Sequence, residues 1–384
     1  MIPCKPGKAF PAIAWVAFDL LVLSLATACS ESTITTEIVE PEGLNGISAD
    51  AGQVDARPIA SSTYQAMLHQ GMDVDWAGTA SGRQAAQRSH AAGVNVPRLF
   101  QLRGLSHVRI RVKEDVLTDQ SLLSEIGNLL DDCLEADLIP IIAYQAEAFR
   151  DDPQNDVRLN AVVDWWGEVA RRFRSYPYRL AYNVVIEATG ELTKHNDRLN
   201  LLYRKVAQRI HEIDEKRIII IAPNGVSNPY ELDNLVVPEP SDYIMAEWHF
   251  YAAGPQKDNP KKQWTTGTEA EKELILDKIE FAANWSQRHG IPTWVGAWMA
   301  NDYNAINRDN VRYDGAPGGG AYTVAEQKVF SRFMVKSLCA RDIPFAVNSD
   351  TLYFNRDTNQ WYDSVAEVLD TIVCGCRSRC LPIR

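Results

Sequence analysis

The sequence lacks an excess of positive charge. Its 384 residues carry a formal net charge of −11, and the pI is near 5.2. Proteins with general affinity for nucleic acids need a basic face, so we expect no nucleic-acid partner. The charge would also repel anionic polymers at long range, although a local basic pocket could still bind one.

The sequence also lacks the glycine-rich motifs that bind nucleotides. No dinucleotide-binding turn follows the first strand candidate, 71–76, and Pro317-Gly318-Gly319-Gly320 is not followed by the Lys-Ser/Thr of a phosphate loop. We interpret this glycine run as part of a mobile active-site loop. No constellation of residues stands out as a metal site, so we expect neither a metal nor another cofactor.

No apolar run is long enough to cross a membrane, because Asp19 interrupts the run from Phe10 to Ala28. Lys5 and Lys8 precede that run and small residues end it before Cys29, which is typical of an export signal. Its end resembles a bacterial lipobox with Cys29 as the acylated residue. We therefore expect a periplasmic or outer-membrane lipoprotein, touching the membrane only through Cys29, or a secreted protein if the signal is simply cleaved.

From Gly71 onwards, short apolar segments alternate with helical patterns. Thr268-x-x-Glu271 and Thr323-x-x-Glu326 are capping boxes that open two of the helices, and a last helix is predicted over 361–373. Eight strands separated by helices predict a closed α/β barrel, the (β/α)8 or TIM barrel. An open doubly wound sheet is the alternative. The strand candidates are 71–76, 105–112, 138–145, 180–187, 217–224, 243–251, 291–298 and 343–348.

These patterns predict one folded domain with short flanking segments. The acidic segment 29–62 is poor in aromatic residues and is expected to be a flexible tether between the signal peptide, 1–28, and a barrel over 63–373. A Cys-rich tail, 374–384, follows. We expect a monomer.

Five cysteines lie in or after the predicted barrel. Cys133 and Cys339 fall on apolar helix faces and are expected to be buried thiols. In an oxidising compartment, two of Cys374, Cys376 and Cys380 could pair. A metal site in this tail is the weaker alternative, because no His lies near it.

The fourth strand candidate ends in a carboxylate. Leu180–Glu187 reads LAYNVVIE, and its Val184-Val185-Ile186 core suits a strand buried on both faces. An unpaired ionised Glu is costly inside such a strand, but at its end Glu187 can face a cleft. An apolar setting there favours the protonated form, which suits a general acid. A solvated loop residue or a salt-bridge partner is the alternative interpretation.

Polar and aromatic side chains stand at the other strand ends too. Carboxyl ends of barrel strands meet at one face, where such enzymes place their active sites. Flat aromatics beside carboxylates and amides suit a sugar ring, whose C–H faces stack and whose hydroxyls form hydrogen bonds. With Glu187, the catalytic candidates are His249 and Tyr251. The candidate substrate-binding residues are Asp75, Arg109, Gln145, Asn183, Glu247, Trp248, Trp298 and Asn348.

Four short motifs carry a family resemblance. They are His107-Val108-Arg109-Ile110, Glu187, His249-Phe250-Tyr251 and Val295-Gly296-Ala297-Trp298. Through them residues 68–373 resemble glycoside hydrolase family 5, the cellulase-type retaining β-glycanases. The resemblance implies a (β/α)8 barrel with Glu187 as acid/base. It also implies that Arg109, His249 and Tyr251 are the family's strand-two Arg and its strand-six His and Tyr.

The sequence departs from the family pattern at the catalytic positions. The usual Asn-Glu-Pro is Ile186-Glu187-Ala188, the strand-three His is Gln145, and the strand-eight Trp is Asn348. The family's nucleophile Glu falls on Ala297. A retaining glycosidase needs two carboxyl groups about 5–5.5 Å apart, and Ala297 cannot supply one.

Three functions therefore remain open. The first is hydrolysis of a β-linked glycan, with Glu187 as acid and the missing carboxylate supplied by Glu247, Asp350 or Glu147. The second is β-elimination on a uronic-acid polymer such as alginate. There His249 and Tyr251 would move protons, and the substrate carboxylate would be neutralised by Arg109, Arg111, Gln145 or Asn183. The third is glycan binding without catalysis.

Overall fold

The computed structural model describes residues 57–250, 264, 266–300 and 322–376. Eight parallel strands close into a barrel in which each strand pairs with the next along the chain and β8 pairs with β1. The predicted (β/α)8 barrel is confirmed, and the open doubly wound sheet is not the fold. The barrel strands are β1 Gln70–Ala77, β2 His107–Val112, β3 Ile139–Tyr144, β4 Ala181–Asn183, β5 Ile219–Ile221, β6 Ile244–Phe250, β7 Thr293–Trp298 and β8 Phe345–Asn348.

One helix precedes the barrel and others lie in the connections between its strands, except that the β5–β6 connection holds only the short helical segments Asn224–Ser227, Pro229–Asn234 and Ser241–Tyr243. The two predicted capping boxes are present, since Thr268 and Thr323 each accept from the backbone N–H of the Glu three residues later. The helices are α1 Ser61–Met67, α2 Ala80–Ala91, α3 Val96–Leu102, α4 Gln120–Glu135, α5 Glu147–Asp151, α6 Asp156–Phe173, α7 Asn196–His211, α8 Glu269–His289, α9 Val324–Cys339 and α10 Ala366–Cys374.

Three predicted elements differ clearly from the observed ones. The strand predicted over 217–224 is a ladder strand only over Ile219–Ile221. The strand predicted over 180–187 is a ladder strand only over Ala181–Asn183, although the N–H groups of Val184 and Ile186 still donate to carbonyl oxygens of β5 and β3 at 3.0 and 3.2 Å. The last helix begins at Ala366, not at 361. The preceding residues instead form a two-stranded antiparallel pair, β9 Phe354–Asn355 and β10 Gln360–Trp361.

Two apolar layers hold the barrel together. The larger layer lies between the strands and the surrounding helices. The smaller one fills the lower interior of the barrel, where Ile141, Ile220 and Trp294 meet Tyr64 of α1. Ile59 belongs to this inner layer and is buried. The folded domain therefore starts before residue 63, the expected first residue of the barrel.

The cysteines match the prediction only in part. Cys133 is a free, buried thiol, as expected. Cys339 is not a thiol: it forms a disulfide with Cys376, which joins the end of α9 to the residues after α10. Cys380 lies outside the described residues, as do the export signal and Cys29. No helix in the described part of the chain is long and apolar enough to span a membrane.

Arg217 fixes the segment that leads into β4. Its guanidinium is fully buried and donates to Asp214 Oδ2 at 2.8 Å. It also donates to three backbone carbonyl oxygens, those of Pro177 at 2.6 Å, Tyr176 at 2.9 Å and Leu180 at 3.0 Å. These bonds satisfy carbonyl groups that have no ladder partner on this turn. Arg217 thus positions the start of the strand whose far end carries Glu187.

We expect Arg217→Met to lower the free energy of unfolding by about 3 kcal/mol, because it removes the guanidinium from the buried Asp214 carboxylate and from three carbonyls, of which only that of Pro177 keeps a backbone N–H donor. Denaturant titration measures the loss. Arg288→Met is the matched control, because Arg288 pairs with Asp233 at an exposed site and such pairs contribute less than about 1 kcal/mol. Equal effects of the two changes would contradict this role of Arg217.

Candidate active site

A chain of five charged side chains runs from the interior of the barrel to its mouth. Because side chains alternate along a strand, Asp73 of β1, Arg109 of β2, and Glu247 and His249 of β6 all point inward. Each has a side chain no more than 1% exposed. Glu187, in the loop after β4, is the fifth member and has 22% of its side chain exposed. We call these five residues the charge chain.

Arg109 anchors the charge chain at its inner end. Its Nε and Nη2 donate to the two carboxylate oxygens of Asp73 at 3.0 and 2.9 Å, and its Nη1 donates to Glu247 Oε1. The guanidinium carbon lies 5.6 Å from the ring centroid of Trp294, within the range of a cation–π contact. Burial alone would raise the pKa of Asp73, but Arg109 and Arg111 outweigh it and hold that pKa below its usual value.

Glu247 joins Arg109 to His249. Its Oε2 accepts from Asn183 Nδ2 at 2.5 Å, and its Oε1 lies against both Arg109 Nη1 and His249 Nε2, two nitrogens that are 3.2 Å apart. Gly296 of β7 leaves room for this carboxylate, because a Cβ atom there would lie 1.9 Å from Oε1. Two cationic groups therefore converge on one buried carboxylate oxygen.

His249 carries the charge chain to the barrel mouth. Its Nδ1 lies 2.5 Å from Glu187 Oε1, while its Nε2 faces Glu247. Burial alone would lower the pKa of His249, but the charges of Glu247 and Glu187 and their hydrogen bonds outweigh it and raise that pKa to about 9. At neutral pH His249 is an imidazolium ion that donates from both nitrogens, so Glu187 is held by a cation and does not sit in the apolar setting expected from sequence.

Ala297 lies beside His249. In the β6–β7 register His249 pairs with Ala297, and a register shift separates this pair from Trp248 and Val295. Paired residues of neighbouring parallel strands share a face of the sheet, so position 297 faces the barrel interior with His249. A side chain longer than alanine would begin next to the His249–Glu187 pair.

Three predicted substrate-binding residues stand around the mouth. Asp75 is half-buried, accepts from Thr79 Oγ1 at 3.1 Å and faces Arg356 at 3.7 Å. Gln145 is half-buried just after β3. Asn348 ends β8, where its Cα pairs with that of Asp73. All three are placed at the carboxyl ends of the strands, where a ligand would enter.

Trp248 and Trp298 do not lie in the site. Both are fully buried in the apolar layer between strands and helices. Trp248 points outward because its neighbours Glu247 and His249 point inward. Trp298 packs on Phe330 and Phe345, with ring centroids 5.9 and 5.7 Å away. Their assignment as sugar-stacking residues was wrong, since the position of an aromatic at a strand end does not fix the face it occupies.

Arg109, Asn183 and Glu247 were expected to contact the substrate directly. Their side chains are buried and bound to one another beneath His249. They therefore act on a sugar only through His249 and Glu187. Tyr251, the remaining catalytic candidate, lies outside the described residues.

A second polar contact in the barrel interior was missed at the sequence level. Trp294 Nε1 donates to His107 Nε2 at 3.1 Å, and a Cβ atom at Gly71 would lie 2.3 Å from that ring. Burial, helped by His69 and Arg109, lowers the pKa of His107 to about 3, so the ring is a neutral acceptor. The period of two from Arg109 back to His107 was the available signal. Within the described ranges, no cluster of His, Cys, Asp or Glu is placed to hold a metal ion.

Comparisons with known proteins agree with this architecture. Endoglucanase H of Acetivibrio thermocellus is 22% identical over 280 residues, which are 70% of this chain but only 29% of that protein. The crystal structure of endoglucanase Cel5A from Thermotoga maritima has a TM-score of 0.65 at 17% identity, covering 81% of this chain and 100% of that one. The cellulose synthase subunit Z of Clostridioides difficile has a TM-score of 0.60 at 16% identity, covering 79% and 99%.

The solved structures, at these identities, support the fold. The family itself is shown by sequence, because the profile of the cellulase family, glycosyl hydrolase family 5, matches residues 60–331. That range includes β1 to β7 and every member of the charge chain. The chain therefore belongs to glycosyl hydrolase family 5, the cellulase family of glycoside hydrolases.

Proposed function

We propose that this protein acts on a β-linked glucan-type polysaccharide, with Glu187 as the general acid/base. The observation that carries the proposal is the contact of 2.5 Å between Glu187 Oε1 and His249 Nδ1 at the barrel mouth. Glu187 is the one member of the charge chain with substantial exposure. The buried partners can therefore reach a bound sugar only through this carboxyl group.

The hydrogen bond from His249 assigns different tasks to the two carboxyl oxygens of Glu187. Oε1 accepts from the imidazolium, which leaves Oε2 to carry the proton. Oε2–H donates its proton to the glycosidic oxygen as the bond to the anomeric carbon breaks. The water that attacks the opposite face of the sugar releases its proton to solvent, and Glu187 then regains a proton from solvent. Such transfers contribute about 10²- to 10⁴-fold to a rate.

The second carboxylate of a retaining mechanism is missing from position 297. Glu247 and Asp350, two of the candidates for replacing it, are fully buried and bound to Arg109 and Arg356, so neither can attack a sugar carbon. Glu147 is mostly exposed and lies next to Arg150 at the start of α5. We propose that water attacks from the side of Ala297, that hydrolysis is slow and that the anomeric configuration is inverted.

The contacts of the charge chain disfavour the lyase alternative. Elimination needs a group free to neutralise the uronic carboxylate and a base to remove the neighbouring proton. Arg109 is already bound to Asp73 and Glu247. His249 is protonated at neutral pH and cannot act as that base. A neutral glycan also suits a protein with a net charge of −11 better than alginate does.

The substrate class and the location rest on separate observations. Two similar proteins are named endoglucanases, which supports a glucan chain as substrate. We propose export through residues 1–28, with lipid attachment at Cys29, because a polysaccharide is too large to enter a cell. Cell fractionation tests the location, and recovery of the unprocessed chain in the cytoplasm would contradict it.

Glu187→Gln should reduce cleavage of β-glucan by at least about a hundredfold. The change keeps the volume and an acceptor for His249 but removes the transferable proton. Product analysis on β-glucans, mannans and alginate measures it, since a hydrolase creates reducing ends and a lyase creates an ultraviolet-absorbing double bond. Glu191→Gln is the control, because Glu191 is an exposed residue of the next turn that pairs with Lys194. Unchanged turnover in the Glu187 variant would remove that residue from the mechanism.

Ala297→Glu should increase hydrolysis of β-glucan and change its stereochemistry to retention. The new carboxylate would begin next to the cationic His249 and face Glu187, which restores a pair of carboxyl groups for a covalent intermediate. The added volume at a buried position is expected to cost about 1–3 kcal/mol of stability. NMR of the first-formed anomer measures the outcome.

Ala297→Gln is the matched control for this gain. Glutamine has nearly the same size and keeps one acceptor oxygen, but it cannot form a glycosyl ester. A folded Ala297→Glu protein with no increase over Ala297→Gln on any β-glycan would contradict the placement of position 297 beside the reacting carbon.

A further inference from the structure

We propose that Glu247 is a positioning residue for the acid/base Glu187, acting through His249. The inference rests on the proposed role of Glu187 and adds to it a residue that never touches the sugar. Glu247 holds Nε2 of His249 from below, so that Nδ1 presents its N–H to Glu187 Oε1 at the mouth. Orientation of Glu187 would then depend on a carboxylate buried inside the barrel.

The surroundings of Glu247 are built to hold that carboxylate in one place. Asn183 of β4 donates to Oε2 at 2.5 Å, Arg109 of β2 donates to Oε1, and the missing side chain of Gly296 on β7 provides the space. Three strands besides its own thus contribute to its position. A fully buried carboxylate is costly unless paired and hydrogen-bonded, and here each oxygen has a donor.

The charges around His249 show what Glu247 contributes. Arg109 Nη1 is 3.2 Å from His249 Nε2, and the two cations would repel each other without the anion between them. Glu187 faces the opposite ring nitrogen, Asp73 is bound to the far side of Arg109, and the neighbouring Ala297 of β7 is uncharged. Of the two carboxylates that stabilise the His249 cation, Glu247 is therefore the one that lies between it and Arg109.

Removal of the Glu247 charge is expected to favour the neutral form of His249. With glutamine at position 247, burial and Arg109 both favour a neutral imidazole, whose single proton can sit on either nitrogen. When the proton is on Nε2, Nδ1 no longer donates to Glu187. We expect Glu247→Gln to lower kcat about tenfold or more while KM changes little, because residue 247 does not contact the substrate.

The titration of His249 gives a readout that does not need turnover. In the wild type the pKa is raised to about 9, so the cation persists at neutral pH and is lost as pH rises through that value. Its stabilisation of the fold is complete below the unfolded pKa of about 6.5 and disappears as pH rises toward the folded pKa. In Glu247→Gln we expect His249 to titrate at least about one unit lower.

Histidine NMR on the full chain measures these titrations. The chain has seven histidines, and a His249→Asn sample identifies the signal of His249. Glu212→Gln is the matched control, because Glu212 is exposed and pairs with Arg209 at 3.5 Å. It should leave the titration of His249, kcat and KM unchanged.

Glu247→Asp tests whether the position of the carboxylate matters as well as its charge. It also provides a second variant if Glu247→Gln does not fold. The shorter side chain keeps the charge but cannot reach Asn183, Arg109 and His249 together, so kcat should fall with KM preserved and the titration should shift part of the way. A folded Glu247→Gln protein with the wild-type His249 titration would overturn the proposal, as would a Glu247→Asp protein equal to the wild type in titration and kcat. If the titration shifts but the wild type cleaves no glycan, the proposed function fails while the coupling of Glu247 to His249 stands.

Discussion

The interior of this barrel depends on the buried guanidinium of Arg109. A charge with a side chain 1% exposed is tolerated only when anions surround it, and here Asp73 binds it in two places while Glu247 accepts from its third nitrogen. Each of these carboxylates comes from a different strand, so the three residues also fix how β1, β2 and β6 meet. Removal of any one of them would leave a buried charge without its partner, which costs more than a surface pair ever contributes.

Negative and positive side chains alternate from Arg109 outward to the partly exposed Glu187. Asp73, Arg109, Glu247, His249 and Glu187 succeed one another through direct contacts, and the last of them opens onto the barrel mouth. This order explains why His249 is a cation although burial disfavours its charge. The barrel does not depend on a charged side chain at position 297, because Ala297 is not part of the charge chain.

Much of this could be read from sequence. Eight strands, two capping boxes and the carboxylate at Glu187 follow from periodicity and local chemistry, and the family motifs placed Arg109 and His249 on the correct strands. The predictions that were wrong concerned features that only the three-dimensional structure determines. Trp248 and Trp298 were misplaced because a bulge and the alternation of side chains decide which face a strand residue occupies. The disulfide of Cys339 leaves no local signal in the sequence, because its partner, Cys376, is 37 residues away. The length of β4 depended on where its neighbours end, which no local pattern records.

The central claim is that Glu187 protonates the glycosidic oxygen of a sugar bound over Ala297. A crystal structure of the wild-type chain with a β-1,4-linked gluco-oligosaccharide tests it most directly, because it locates both the glycosidic oxygen and the anomeric carbon. We expect a glycosidic oxygen within about 3 Å of Glu187 Oε2 and an anomeric carbon facing the methyl group of Ala297, with His249 Nδ1 still bound to Oε1. An oligosaccharide bound at the mouth with no glycosidic oxygen near Glu187, or one bound elsewhere on the barrel, would contradict the account.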